Sequence, residues 1–157
     1  MIRVVADEGF NRKPQILVSG WRFRTKFETI EQTAIVEATP EEVYDAYVDP
    51  KKHSEFTGSP ATGSPRVGGR FTAWDGYIKG KFVKLEKGKR AVHEWTTTEW
   101  PAGYPPSVVE LTFTPKGRKT ELKMVHTKVP AEQAPEYAEG WNDYYWEPLK
   151  KYFEARK

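Results

Sequence analysis

Cysteine is absent from the chain. That excludes a disulfide framework, a thiolate metal site and a cysteine nucleophile, and it fits a reducing compartment. Long apolar runs are absent as well: no stretch approaches the roughly 20 residues that cross a bilayer. The N-terminus lacks the apolar centre of a signal peptide, because Asp7, Glu8, Asn11, Arg12 and Lys13 interrupt it. Together these absences predict a soluble, cytoplasmic protein without a membrane span. Neither sign of charge dominates. The formal net charge is +3, and residues 1–28 carry all of it, with six basic residues against three acids. The balanced body argues against nucleic acid as the main partner. Nucleophile motifs of the G-x-S-x-G or S-x-x-K type are missing, and Gly68-Gly69 is a lone glycine pair rather than a phosphate loop. Glu41 and Glu42 lie at a helix start, where they serve capping, and Glu94 and Glu99 flank a strand without an evident partner. No catalytic residues are assigned, and no cofactor is expected.

What the chain does have is aromatic rings. Its 157 residues suit one domain, and 14% aromatic content supplies buried area that a modest aliphatic content does not. The richest stretch is 140–157. Trp141, Tyr145, Leu149, Tyr152 and Phe153 recur there at helical spacing, Trp146 widens the stripe, and Asn142, Asp143, Lys150, Lys151 and Glu154 fall largely opposite. Pro148 removes a backbone donor inside the run, so a bend is expected near Tyr144. A bent helix with large aromatics lies across a curved surface and leaves space beneath it, as a lid. The alternative is a plain C-terminal helix docked on a sheet.

From Thr29 the punctuation is regular. Ile30, Ala34, Val36 and Ala38 share a parity and predict a half-buried strand. Thr39-Pro40-Glu41-Glu42 is a capping box opening a short helix, and Asp49-Pro50 opens a second one through about Phe56. The Gly-, Ser- and Pro-rich stretch 57–69 is a loop. Strands follow over about 70–74, 77–85, 90–98, 107–114 and 119–127, with Asp75-Gly76 as a tight hairpin signal and Gly80 as a bulge or close approach. Pro130 and Pro135 open the last helix. Five consecutive antiparallel strands joined by short turns predict a meander that curls around one long helix. Ahead of it, Trp21, Phe23 and Phe27 alternate with Arg22, Arg24 and Lys26. Residues 1–28 are read as a loosely ordered extension or an extra edge strand.

Three histidines are the polar candidates. His53, in the second short helix beside Glu55, is expected at the surface. His93 shares parity with Trp95, and His126 with Leu122 and Met124, so both are expected to face inward. If their strands flank the Val109 strand, roughly 10 Å separates them. Zinc bonds nitrogen at about 2 Å, so the pair cannot share a metal, and no metal site is predicted. Each is either a satisfied core histidine or a polar anchor in an apolar pocket.

Several motifs stand together in one order: Ala38-Thr39-Pro40-Glu41-Glu42-Val43-Tyr44, His53-Ser54-Glu55-Phe56-Thr57-Gly58, Val67-Gly68-Gly69-Arg70-Phe71 and Asp75-Gly76-Tyr77-Ile78-Lys79-Gly80. Trp95, Trp100-Pro101, Pro106-Ser107 and Gly140-Trp141 through Tyr145-Trp146-Glu147-Pro148-Leu149 continue the series. In these motifs, over residues 29–157, the chain resembles the START-like, helix-grip superfamily, also called SRPBCC. Within it the chain resembles the branch of the activator of heat shock protein 90 ATPase homologues, of the C-terminal-domain type. The resemblance implies an α+β fold: a curved antiparallel sheet of about six strands around a long C-terminal helix, with two short helices after the first strand. Members of the superfamily bind lipids, hydrophobic hormones or aromatic polyketides, and a few are cyclases. The eukaryotic activator carries an additional N-terminal domain for chaperone binding; this chain has at most 28 residues in that place, which argues against chaperone activation and leaves, as the rival expectation, a partial chaperone contact through the START-like domain itself, with a place in the stress response.

The expected function is binding of a small hydrophobic or amphipathic molecule between sheet and helix. The expected lining is Phe71, Ile78, Phe82, Trp95, Val109, Leu111, Phe113, Leu122, Met124, Trp141, Tyr145 and Leu149, with His126 or His93 fixing ligand orientation by one hydrogen bond. The alternatives are a co-chaperone-like interaction module and a cyclase-type enzyme.

Overall fold

Backbone pairing of the strand Phe27–Val36 with the last strand, Lys119–Pro130, shapes the molecule. The computed structural model of the protein describes residues 2–6, as backbone, and 26–156. In chain order these form β1 (Ile2–Ala6), β2 (Phe27–Val36), α1 (Pro40–Val48), α2 (Pro50–Thr57), β3 (Thr62–Gly63), β4 (Arg70–Ala73) and β5 (Ile78–Glu86). Next come β6 (Arg90–Thr97), β7 (Ser107–Lys116), β8 (Lys119–Pro130), α3 (Ala134–Trp141), a π-helical turn (Asn142–Trp146) and α4 (Glu147–Ala155). The sheet has the order β1-β2-β8-β7-β6-β5-β4-β3, and every pair is antiparallel.

This is the expected helix-grip α+β fold. The predicted strands are β2 and β4 to β8, and β1 and the two-residue β3 add the sheet's two edges. The meander from β3 to β8 is completed by β2, which returns to lie beside β8. β2 starts ahead of the predicted strand: Phe27 pairs with Pro130, is buried, and meets Tyr104 edge-on at 5.6 Å. The predicted alternation of Trp21 and Phe23 with basic residues lies outside the described residues.

Local chemistry explains the two short helices. The Thr39 hydroxyl accepts from the Glu42 N–H, and the Glu42 carboxylate accepts from the Thr39 N–H. The Asp49 carboxylate likewise accepts from the Lys52 N–H, and Gly58 ends α2 in the left-handed conformation, where a Cβ is costly. Alternation on β6, β7 and β8 turns Trp95, Val109, Leu111, Phe113, Leu122 and Met124 inward beneath the last helix.

The predicted irregularity near Tyr144 is the π turn. In an unbroken α-helix the N–H of residue 148 would bond the Tyr144 carbonyl, and proline has none. The chain shifts register instead, and the Glu147 N–H bonds the Asn142 carbonyl five residues back. In that wider register residues five apart lie over one another. Trp141 and Trp146 accordingly stack, at 5.3 Å and 13°. Both face the core beside Tyr145, and one turn later Leu149 is fully buried.

Replacing Leu149 with Ala is expected to destabilise the protein by about 2–5 kcal/mol, because it leaves a cavity at the centre of the grip. Guanidinium unfolding measures it, and a loss below about 0.5 kcal/mol would show that this helix face is not packed on the sheet.

Candidate functional site

A half-open cleft of about 300 Å³ lies where the β4–β5 end of the sheet parts from the C-terminal helix. The β4–β5 loop and the start of β5 contribute Trp74, Tyr77 and Ile78, and β6 contributes Trp95. From the helix come Glu136, Tyr137, Gly140 and Trp141 of α3 and Tyr144 and Tyr145 of the π turn. Seven of these ten residues are aromatic, and Glu136 is the sole charged one.

The turn after β4 builds one wall. Ala73 pairs with Ile78, so the loop is four residues rather than the two-residue hairpin that Asp75-Gly76 suggests. Trp74, Asp75 and Gly76 are all left-handed, with φ of 52°, 56° and 89°. For the two non-glycines this conformation costs about 1–2 kcal/mol each. Hydrogen bonds from Asp75 N–H to the Pro60 carbonyl and from Tyr77 N–H to the Trp74 carbonyl hold it. The result sets the Trp74 ring edge-on to Tyr144 at 5.5 Å. Across the cleft, Gly140 leaves the floor open: a Cβ there would meet only a Tyr144 ring carbon, at 3.8 Å.

Of the predicted lining, Ile78, Trp95, Trp141 and Tyr145 stand in this cleft. Phe71 and Phe82 pack against each other and against the His93 ring, and they border a small void of about 20 Å³ beside Tyr47 and His53. Val109, Leu111, Phe113, Leu122, Met124 and Leu149 are core residues, at most 3% exposed. Sequence reasoning missed Trp74, Tyr77, Glu136, Tyr137, Gly140 and Tyr144. Tyr137 was within reach, since it extends the spacing of Trp141 and Tyr145 one turn back.

The histidines are a buried set. His53, expected at the surface, is 6% exposed. It shares a face of α2 with Phe56, and that face turns onto Tyr47 and Tyr145. His93 and His126 both face inward and sit directly across Val109 in register, as expected.

Hydrogen-bond partners fix each tautomer. His53 Nδ1 donates to the Tyr47 carbonyl at 2.8 Å, and its Nε2 accepts from the Tyr145 hydroxyl at 3.0 Å. His93 Nδ1 donates to the Glu94 carbonyl, and its Nε2 accepts from the Tyr47 hydroxyl at 2.7 Å. His126 runs the other way: Nδ1 accepts the Trp141 indole N–H at 3.0 Å, Nε2–H donates to Ser107 Oγ, and that hydroxyl donates to the Trp95 carbonyl. Both ring nitrogens of each histidine are thereby engaged within the protein.

Burial disfavours the charged form, and lowers His53 and His93 to about 4 and His126 well below 6.5. The tyrosines that donate to His93 and His53, Tyr47 and Tyr145, are raised by burial. Among the described residues, no group of three or more His, Cys, Asp or Glu is placed to hold a metal.

Two other donors are not engaged. The indole N–H groups of Trp74 and Trp95 are enclosed and make no hydrogen bond of good geometry, although both residues line the cleft.

The histidines make a pH prediction. Folded rings lowered below the unfolded value of 6.5 bind fewer protons than the unfolded chain at mildly acid pH. Their contribution is whole above about pH 6.5 and is lost as pH falls toward 4. Stability is expected to drop by up to about 1.4 kcal/mol per pH unit for each histidine in that window. Guanidinium midpoints between pH 7.5 and 4.5 test this. His53→Gln should flatten the slope by one histidine's share, and a flat wild-type profile would contradict the neutral network.

Comparison with known proteins agrees with the fold. The family model described as "Activator of Hsp90 ATPase homolog 1-like protein" matches residues 37–154. The human activator of 90 kDa heat shock protein ATPase homolog 1 is 33% identical over 141 residues, covering 90% of this chain and 41% of the relative. The chain thus spans about two fifths of that curated relative's length. Among solved structures, an Hsp90 activator from Plasmodium falciparum superposes with a TM-score of 0.69 at 26% identity, over 74% of this chain and 89% of that one. A Mesorhizobium loti protein reaches 0.70 at 23% identity over 82% and 98%, a likeness of fold. No helix among the described residues is long and apolar enough to cross a membrane.

Proposed function

We propose that this chain, which belongs to the activator of Hsp90 ATPase homolog 1-like family, binds a small apolar or amphipathic molecule in the aromatic cleft between β5, β6 and the C-terminal helix. The observation that carries the reading is the cleft itself: about 300 Å³ of space, seven aromatic walls and one charged residue. That volume lies at the lower end for small-molecule sites, which are concave and mostly apolar. Engagement comes from the upper rim, because the core beneath is filled by Leu111, Met124 and Leu149.

A neutral fluorescent probe, N-phenyl-1-naphthylamine, is expected to bind the folded protein at about one equivalent. Ligand at 100 times its Kd should add about 2.7 kcal/mol of stability. Gly140→Leu is the matched control. Gly140 is helical, its backbone suits any residue, and the added side chain projects into the open floor. The variant should fold at least as stably, since glycine is a poor helix former, and should lose the probe. Gly80→Phe, by contrast, is unsuitable for filling space: a Cβ there would overlap the Glu94 carbonyl and the Phe71 ring. Undiminished probe binding by the Gly140→Leu protein would refute the cleft as the site.

The relatives' names favour a second reading, a co-chaperone-like contact with heat shock protein 90. Its test is the ATPase rate of purified heat shock protein 90 with the chain added. Stimulation, or a complex in sedimentation, supports the contact, and neither result at high micromolar concentration removes it. Gly140→Leu separates the readings, because a chaperone contact independent of the cleft would survive it.

A further inference from the structure

We propose that the outer face of the sheet over β4, β5 and β6 is a docking surface for an acidic, extended segment of a partner protein. This face is turned away from the gripped helix and goes beyond the ligand-binding reading above.

Strand alternation builds the surface. Phe71 and Ala73 of β4, Ile78 and Phe82 of β5, and His93 and Trp95 of β6 turn toward the core. Arg70 and Thr72, Lys79 and Lys81, and Glu94 and Thr96 therefore turn outward. They border an open groove of about 470 Å³, and none of the six outward side chains is apolar. Three are cationic and one, Glu94, is acidic.

Register concentrates that charge. Arg70 lies directly opposite Lys81, and Lys79 is one diagonal step from Arg70 on the same face. Directly opposite residues have Cβ atoms about 5 Å apart, and like charges there destabilise a sheet. Elsewhere the cations have acidic neighbours: Arg90 meets Glu110, Lys116 meets Glu121 at 3.0 Å and Lys119 meets Glu37 at 3.8 Å. Arg70, Lys79 and Lys81 form no ion pair with another described residue, although Glu94 lies across from Lys81 in register. Beyond residue 28 the chain carries equal numbers of acids and bases, so this local excess is a matter of placement.

Spacing points to the occupant. Lys79 and Lys81 stand two residues apart on one strand, which sets their Cβ atoms roughly 6.7 Å apart. Acids at alternate positions of an extended peptide repeat at the same interval. Such a peptide laid along β5 sets one carboxylate against each lysine, and Arg70 shares the one at Lys81. Recognition through exposed charge sets specificity and on-rate more than affinity, and it is screened by salt.

The probe is a fluorescein-labelled peptide in which glutamate alternates with serine, and its control carries glutamine in place of glutamate. Anisotropy with the full chain is read at about 10 mM and about 150 mM salt, where charges act over roughly 30 Å and 8 Å. The acidic peptide is expected to bind at low salt about tenfold tighter than its control, and to weaken as salt rises. The double variant Lys79→Gln with Lys81→Gln should lose about tenfold, whereas Lys123→Gln with Lys151→Gln, the same charge change at exposed positions outside the groove, should lose little. Glu94→Gln, which removes the groove's own acid, should tighten binding about threefold. Relief of the Arg70–Lys81 repulsion should leave the thermal midpoint of the groove variant unchanged or higher, which a structural role for these lysines would not give. Equal binding of the two peptides, equal losses from the two double variants, or oligothymidylate of the same length binding as tightly as the acidic peptide overturns the proposal. Absence of binding at low salt does the same. Gly140→Leu should bind the peptide unchanged, so the outcome does not depend on the cleft.

Discussion

A missing N–H at Pro148 sets the form of the gripped helix. An α-helix through this position would leave the Tyr144 carbonyl without its donor, and the π turn over Asn142–Trp146 is the register that absorbs the defect. Its consequences reach both sides of the helix. Inward, it superimposes Trp141 and Trp146, whose indoles then reach two different strands: Trp141 to His126 on β8, Trp146 to Gln32 on β2. Gln32 completes the junction by donating to the Ala138 carbonyl near the end of α3. Toward the sheet's β4–β5 end, the same turn carries Tyr144 and Tyr145 to the cleft. One proline therefore ties the helix to both strands of the β2–β8 seam and supplies a wall of the candidate site.

A core built from aromatics carries a polar burden that an aliphatic core does not. Buried tyrosine and tryptophan each bring a donor that needs a partner. Three neutral histidines meet this need. His93 accepts from Tyr47, His53 from Tyr145 and His126 from Trp141, and each passes its own N–H on to a carbonyl or hydroxyl oxygen. Charging any of them would remove the accepting nitrogen, so the same burial that lowers their proton affinity preserves the network. The histidines are explained as structural acceptors, with no ring nitrogen left over for a ligand. That logic also makes Trp74 and Trp95 stand out, as the donors the network does not reach.

Much of this fold was legible in the sequence because its signals are local. The capping box at Thr39, the Asp49-Pro50 restart and the alternation along β6 to β8 each depend on neighbours in the chain. The resemblance of the ordered motifs supplied the architecture. Less legible was anything set by distant pairing. The residence of β2 beside β8, the edge strands β1 and β3 and the burial of His53 arise from contacts far along the chain. Parity showed that Leu111, Met124 and Leu149 point inward, but inward is not the same as facing a void. Here the centre is packed, and the space lies at the margin. Finding it required the conformation of Trp74 and Asp75, whose positive φ values are unusual for residues with side chains and so are poorly signalled by residue type.

The position of the space constrains what binding can do. A ligand in a hollow core replaces missing packing, and the empty protein is correspondingly weak. In this chain Ile30, Leu111, Leu122, Met124 and Leu149 already fill the centre, so the fold does not depend on an occupant. Binding then adds contact with surfaces that are already ordered, and it spends little free energy on organising them. Selectivity falls to the features that the packed core leaves unfinished at the margin: the rings of Tyr137 and Trp141 and the open floor at Gly140.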